Sequence, residues 1–192
     1  MSRGEGKNIK DLFGAFVIFS QLGRISDQAK NICEDTVFAS TGETKPPKVY
    51  NILFLDEDNT CQSQIAEAIA NKLFPIQGAY TSAGRTSSES IDLRLVEFFE
   101  EHGLDSSKHR STELDLVPEE LADFHVIVSL QGPVKSYIST IPFHTVALEW
   151  DVGNLPQNLD EAETNQRLEE MYREIALLIQ DLMDTLRGDE GT

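Results

Sequence analysis

The chain has 192 residues, 40% of them apolar, with 33 acidic side chains against 16 basic ones, a net charge of −17 and a sequence pI near 4.5. That length allows one ordinary domain plus an appendage, and so negative a field repels phosphate backbones and anionic lipid, which argues against nonspecific binding of nucleic acid or a membrane surface. Cys33 and Cys61 are too few for a disulfide framework, and no apolar run approaches the roughly 20 residues that span a bilayer. The expectation is a cytoplasmic protein with no membrane insertion and no nucleic-acid partner.

Charge is unevenly spread along the chain. Residues 1–48 hold 7 basic and 6 acidic side chains, whereas the remainder holds 9 basic against 27 acidic, a balance of −18. The composition changes at Lys45-Pro46-Pro47-Lys48, where a double proline forbids helix and favours an extended connector. The expected organisation is an amphipathic helix within residues 1–44, a linker over 45–48, an α/β domain over 49–187 and a disordered tail over 188–192.

In the first segment Ile9, Leu12, Phe13, Phe16, Phe19, Leu22, Ile25, Ala29, Ile32, Cys33 and Val37 recur at helical steps of three and four. A lone helix cannot bury so wide a face, so this one is expected to lie on the second segment or to form a homodimer through residues 9–38. Residues 22–34, Leu-Gly-Arg-Ile-Ser-Asp-Gln-Ala-Lys-Asn-Ile-Cys-Glu, resemble the closing helix of PhoU-type phosphate-signalling proteins. Gly23 stands where that family places a metal-holding carboxylate, which leaves Asp27 and Glu34 without their partner.

The second segment alternates between the two periods. Strands are expected over Val49–Leu55, Ala79–Ser82, Phe124–Leu130 and Thr145–Trp150, and helices over Gln62–Leu73, Asp92–His102 (closed by Gly103) and Asp160–Arg187. Strand and helix in turn imply a four-stranded parallel sheet with helices on both faces, a three-layer α/β sandwich.

Several motifs in this segment carry a family likeness. Ile52-Leu53-Phe54-Leu55-Asp56-Glu57-Asp58-Asn59-Thr60-Cys61-Gln62-Ser63 resembles the opening of low-molecular-weight tyrosine phosphatases and the related arsenate reductases. Ser82-Ala83-Gly84, Ile91-Asp92, the stretch from Glu101 to Ser111, and Trp150-Asp151-Val152-Gly153-Asn154 follow in the family's order. The resemblance implies a flavodoxin-like fold with a phosphate-holding loop between the first strand and first helix. That chemistry needs a thiolate nucleophile, inward amides at a helix N-terminus, a guanidinium six residues later and a general acid on a later loop.

The sequence departs at each of those positions. Asp56 takes the nucleophile's place, Gln62 the arginine's and Asn154 the acid's, whereas Asn59, Ser63 and Cys61 match the family. A carboxylate about 5 Å from a bound anion costs on the order of 3 kcal/mol at an effective dielectric near 20, so phosphate is not expected to bind in the family's mode. The expected protein is a catalytically inactive relative with a regulatory or protein-interaction role in phosphate or arsenate response. Its pocket residues would be Asp56, Asn59, Cys61, Gln62 and Ser63, and no metal is expected.

Two active alternatives use the same stretch. Asp56-x-Asp58-x-Thr60 also matches the opening of haloacid dehalogenase-like phosphatases, in which magnesium would sit at Asp56 and Asp58, with Ser129, Lys135 and Asp151 as candidates for the later motifs. Cys61, near a helix start, is the other candidate nucleophile. His102, His109, His125 and His144 show no ligand spacing, so no zinc site is expected.

Overall fold

A computed structural model describes residues 5–42, 48–88, 91, 93–105, 110–115, 117–156 and 158–187, with the side chains of residues 5–11, 27 and 34 outside the description. The tail expected over 188–192, His109, and the side chains of Asp27 and Glu34 therefore lie outside the described residues. The chain divides after Pro47 into two compact units.

The first unit is one helix, α1 (Glu5–Thr41), of 37 residues. It runs through Gly14 and Gly23 without a break, and a Cβ at either position would meet nothing within 4 Å. Gly42 ends it at φ +71°, its N–H donating to the Phe38 carbonyl at 2.8 Å, the left-handed stop that glycine adopts without strain. Leu12, Phe13, Phe16, Ile18, Phe19, Leu22, Ile25 and Ile32 are each more than half exposed.

The second unit is the expected α/β sandwich. Its elements are β1 (Tyr50–Asp56), α2 (Gln62–Leu73), β2 (Gly78–Gly84), α3 (Leu93–Glu101), α4 (Pro118–Leu121), β3 (Val126–Ser129), β4 (Val146–Glu149) and α5 (Glu161–Arg187). Among the described residues the sheet has four parallel strands in the order β2-β1-β3-β4. β1 is central because its residues are apolar on both faces, and it is buried from Ile52 to Asp56. Its side chains alternate with the pleat. Ile52 and Phe54 pack with Ile65 and Ile69 of α2, Phe99 of α3 and Met171 and Ile175 of α5. Leu53 and Leu55 face the other way, onto Leu121 of α4, Val134 and Ile138.

That second face is covered by a four-residue helix and a 3-10 turn at Val134–Ser136 rather than by a long helix. Sequence periodicity gave no signal for α4. It is too short for an apolar repeat and starts with Pro118 at a position where the missing N–H costs nothing. The strand order places the C-terminal ends of β1 and β3 side by side, the crevice where open parallel sheets hold ligands.

Candidate functional site

β1 ends inside the protein on a carboxylate. Asp56 is fully buried, and the chain then turns through residues 57–61 into α2. Asn59 makes the turn in the left-handed region at φ +52°, which asparagine tolerates better than other side-chain-bearing residues. Its amide is held on every side. Nδ2 donates to Ser63 Oγ at 2.7 Å, and Oδ1 accepts the Thr112 N–H and Gln64 Nε2, both at 2.8 Å. Gly84 comes so close that a Cβ would lie 2.6 Å from the Asn59 nitrogen, so only glycine fits at the end of β2.

The orientation of Asp56 decides what this loop can do. Its Oδ1 accepts the Asn59 N–H at 2.6 Å and its Oδ2 the Ser63 N–H at 2.9 Å. Cys61 is the N-cap of α2 and its side chain makes no cap hydrogen bond, so the Asp56 carboxylate supplies the acceptor that an N-cap residue usually provides. Burial pushes this carboxyl up to about 6, against the hydrogen bonds from Ser63 and Asn59 that favour its charged form. Inward amides at a helix start are an anion cradle, and here two of them are satisfied by an anion belonging to the chain itself.

The other expected pocket residues close the mouth. Gln62 is nearly buried, and its Nε2 donates to the Gly153 carbonyl at 2.9 Å. Gln131, just beyond β3, accepts the Glu57 N–H at 2.9 Å and donates to Asn154 Oδ1 at 2.5 Å. Arg167 of α5 pins the same later loop, donating to the Val152 carbonyl at 2.5 Å. Tyr137 donates to the Gln131 carbonyl at 2.6 Å, and burial, with Asp56 and Glu57 nearby, pushes its phenol up to about 12.

The structure thus brings together Asp56, Asn59, Gln62 and Ser63, with Asn154 reached through Gln131. Asp58 Oδ1 accepts from the Thr60 hydroxyl at 2.7 Å, and Glu57 pairs with Arg85 at the surface. Cys61 is buried within the apolar cluster around Ile65 and Phe54. Sequence reasoning missed Gln64, Gln131 and Arg167. The first two are neutral amides among many, and only the fold shows that Gln131 follows the strand beside β1. Among the described residues no three His, Cys, Asp or Glu side chains are grouped to hold a metal ion, and no helix is long and apolar enough to cross a membrane.

Residues 51–190 match the family model described as low molecular weight phosphotyrosine protein phosphatase. Among solved structures the chain is similar to a thioredoxin-dependent arsenate reductase from Corynebacterium glutamicum, at 19% identity and a TM-score of 0.56, covering 84% of this chain and 72% of that one. An arsenate reductase from Archaeoglobus fulgidus is 27% identical with a TM-score of 0.52, covering 67% of this chain and 98% of that one. The YwlE arginine phosphatase from Geobacillus stearothermophilus is 20% identical with a TM-score of 0.56, covering 72% and 93%. No curated protein matches the chain.

Proposed function

Because the chain belongs to the low molecular weight phosphotyrosine protein phosphatase family, we propose that it is a non-catalytic member, acting as a cytoplasmic regulatory or protein-interaction protein in phosphate or arsenate response. One observation carries this reading. The carboxylate of Asp56 stands where the family has its nucleophile and accepts the Asn59 and Ser63 amides at 2.6 and 2.9 Å. A substrate phosphate would have to displace it and then lie beside its charge.

Such displacement lacks an offsetting cation within the loop, because Gln62 is neutral and tied to the Gly153 carbonyl. Protonation of a leaving group is equally unsupported: Asn154 has no acidic proton, and its Oδ1 is taken by Gln131. The magnesium-dependent alternative needs an aspartate oxygen open to a substrate, and Asp56 has no exposed surface. The fold and the loop are retained as a scaffold whose binding surface lies elsewhere. α1, with its apolar side chains exposed, is the self-association element and makes the protein a homodimer.

The test is an aryl phosphate assay with purified protein, with and without magnesium. No turnover above buffer is expected in either condition. Turnover that disappears in Asp56→Asn would overturn the reading in favour of an aspartate nucleophile.

A further inference from the structure

The register of α1 goes further than self-association in general. Ala15, Ile18, Leu22, Ile25, Ala29, Ile32, Thr36 and Ala39 follow one another at alternating steps of three and four, the heptad seam of paired helices. The helix carries this seam unbroken, and Ile18, Leu22, Ile25 and Ile32 are 55 to 66% exposed. Sequence position puts Arg24, Asp27, Lys30 and Glu34 at outer places of the heptad, and only Asp35 flanks the seam. Two copies can therefore close on it without burying a charge.

Charge also selects the occupant and its direction. Residues 1–48 are nearly neutral, whereas each chain beyond them carries a balance of −18. A surface on the acidic segment would meet its copy under repulsion, and α1 would not. In a parallel pair the two helix C-termini lie about 10 Å apart, so the acidic segments that follow them are crowded within about one Debye length. An antiparallel pair centred on residue 27 sets those ends about 42 Å apart along the axis. In that register Ile25 faces the partner's Ala29 and Ile18 the partner's Thr36, large against small, while Leu22 faces the partner's Ile32 as the one layer of two large side chains. Outside the seam the exposed apolar residues are Leu12, Phe13, Phe16, Val17 and Phe19 toward one end and Val37 and Phe38 toward the other. Antiparallel pairing brings these two groups to the same end of the assembly.

We infer that α1 binds a second copy of itself as an antiparallel two-helix coil through Ile18, Leu22, Ile25 and Ile32, holding the two acidic domains apart. This rests on the reading of α1 as the self-association element and is independent of whether the loop at Asp56 is catalytic. Native Cys33 reports the direction, because it is exposed on α1 while Cys61 is buried. The two Cys33 residues are 12 positions out of step in the antiparallel register, about 18 Å along the axis, and level in a parallel one.

The experiment uses the full chain. Sedimentation should give twice the chain mass, falling to the chain mass in the double variant Ile25→Asp, Ile32→Asp. Spin labels on Cys33 should report roughly 20 Å between backbones, with no covalent dimer from a short bismaleimide. A monomeric wild type, or a double variant that stays dimeric, overturns the seam. Efficient Cys33 bridging by the short reagent overturns the direction. None of these outcomes alters the aryl phosphate result, so the two readings fail separately.

Discussion

The two units place apolar and polar groups in opposite ways. In the α/β unit apolar side chains are inside and the functional loop buries a charge: Phe54 and Leu55 have no exposed surface, and neither does Asp56. In α1 the apolar side chains are outside, with Phe16 69% and Phe19 73% exposed. The first arrangement is complete within one chain. The second leaves its apolar surface facing water. On the function proposed above, a loop whose amides are taken by the chain's own carboxylate and a helix with an uncovered apolar face belong to a protein organised around assembly rather than turnover.

That contrast can be broken most forcefully at the core. Phe54→Ala should cost the α/β unit about 3–5 kcal/mol in denaturant unfolding, while Phe16→Ala should leave the midpoint of that transition in place. Equal losses from the two substitutions would mean that α1 and the α/β unit share a core.

The next effect is a pH dependence. The Asp56 carboxyl sits at about 6 when folded, above its ordinary 3.8, so the folded state holds the proton more tightly than the unfolded chain does, while the carboxylate still predominates at neutral pH. The stability this contributes is fully present below about pH 4 and is lost as pH rises through about 6. Asp56→Asn has no proton to lose. Its stability relative to wild type should therefore rise by about 2 kcal/mol from pH 4 to pH 7.5. A difference that stays flat across that window would show that Asp56 is not buried as an acid.

Smaller effects come from the loop's frame and from the helix. Asn59→Ala removes three hydrogen bonds of the side chain and puts alanine at φ +52°, which should cost about 2 kcal/mol in the same unfolding experiment. Gly23→Ala, with open space where the new methyl group points, should raise the helix content of α1 and stabilise it by about 1 kcal/mol. No gain from Gly23→Ala would indicate that a partner backbone approaches that glycine closely.

The sequence exposes most of this framework. α2 is found at Gln62–Leu73, the bounds its period predicts, and β1 is displaced by one residue from the expected Val49–Leu55. Long apolar runs and strong periods carry that information locally. β3 and β4 are each shorter than expected, Val126–Ser129 and Val146–Glu149, because pairing rather than apolar character sets where a strand ends. The composition of the loop is equally legible, since Asp56, Gln62 and Asn154 stand out against the family pattern. What the sequence could not show is direction. Crowded carboxylates at 56–58 suggested a charged pocket, yet Asp56 turns inward onto the loop amides and Glu57 turns outward to Arg85. Gln131 and Arg167 reach the loop from distant segments, and only the folded sheet brings them there.

The central claim is that the loop's anion cradle is already occupied by Asp56. Titrating the purified wild-type protein with orthophosphate and orthovanadate in a calorimeter tests it most directly, beside the double variant Asp56→Cys, Gln62→Arg. The account predicts no saturable heat from the wild type and measurable binding by the variant, which regains a guanidinium and loses the competing carboxylate. Saturable binding by the wild type, abolished by Ser63→Pro at the loop amide, would contradict it.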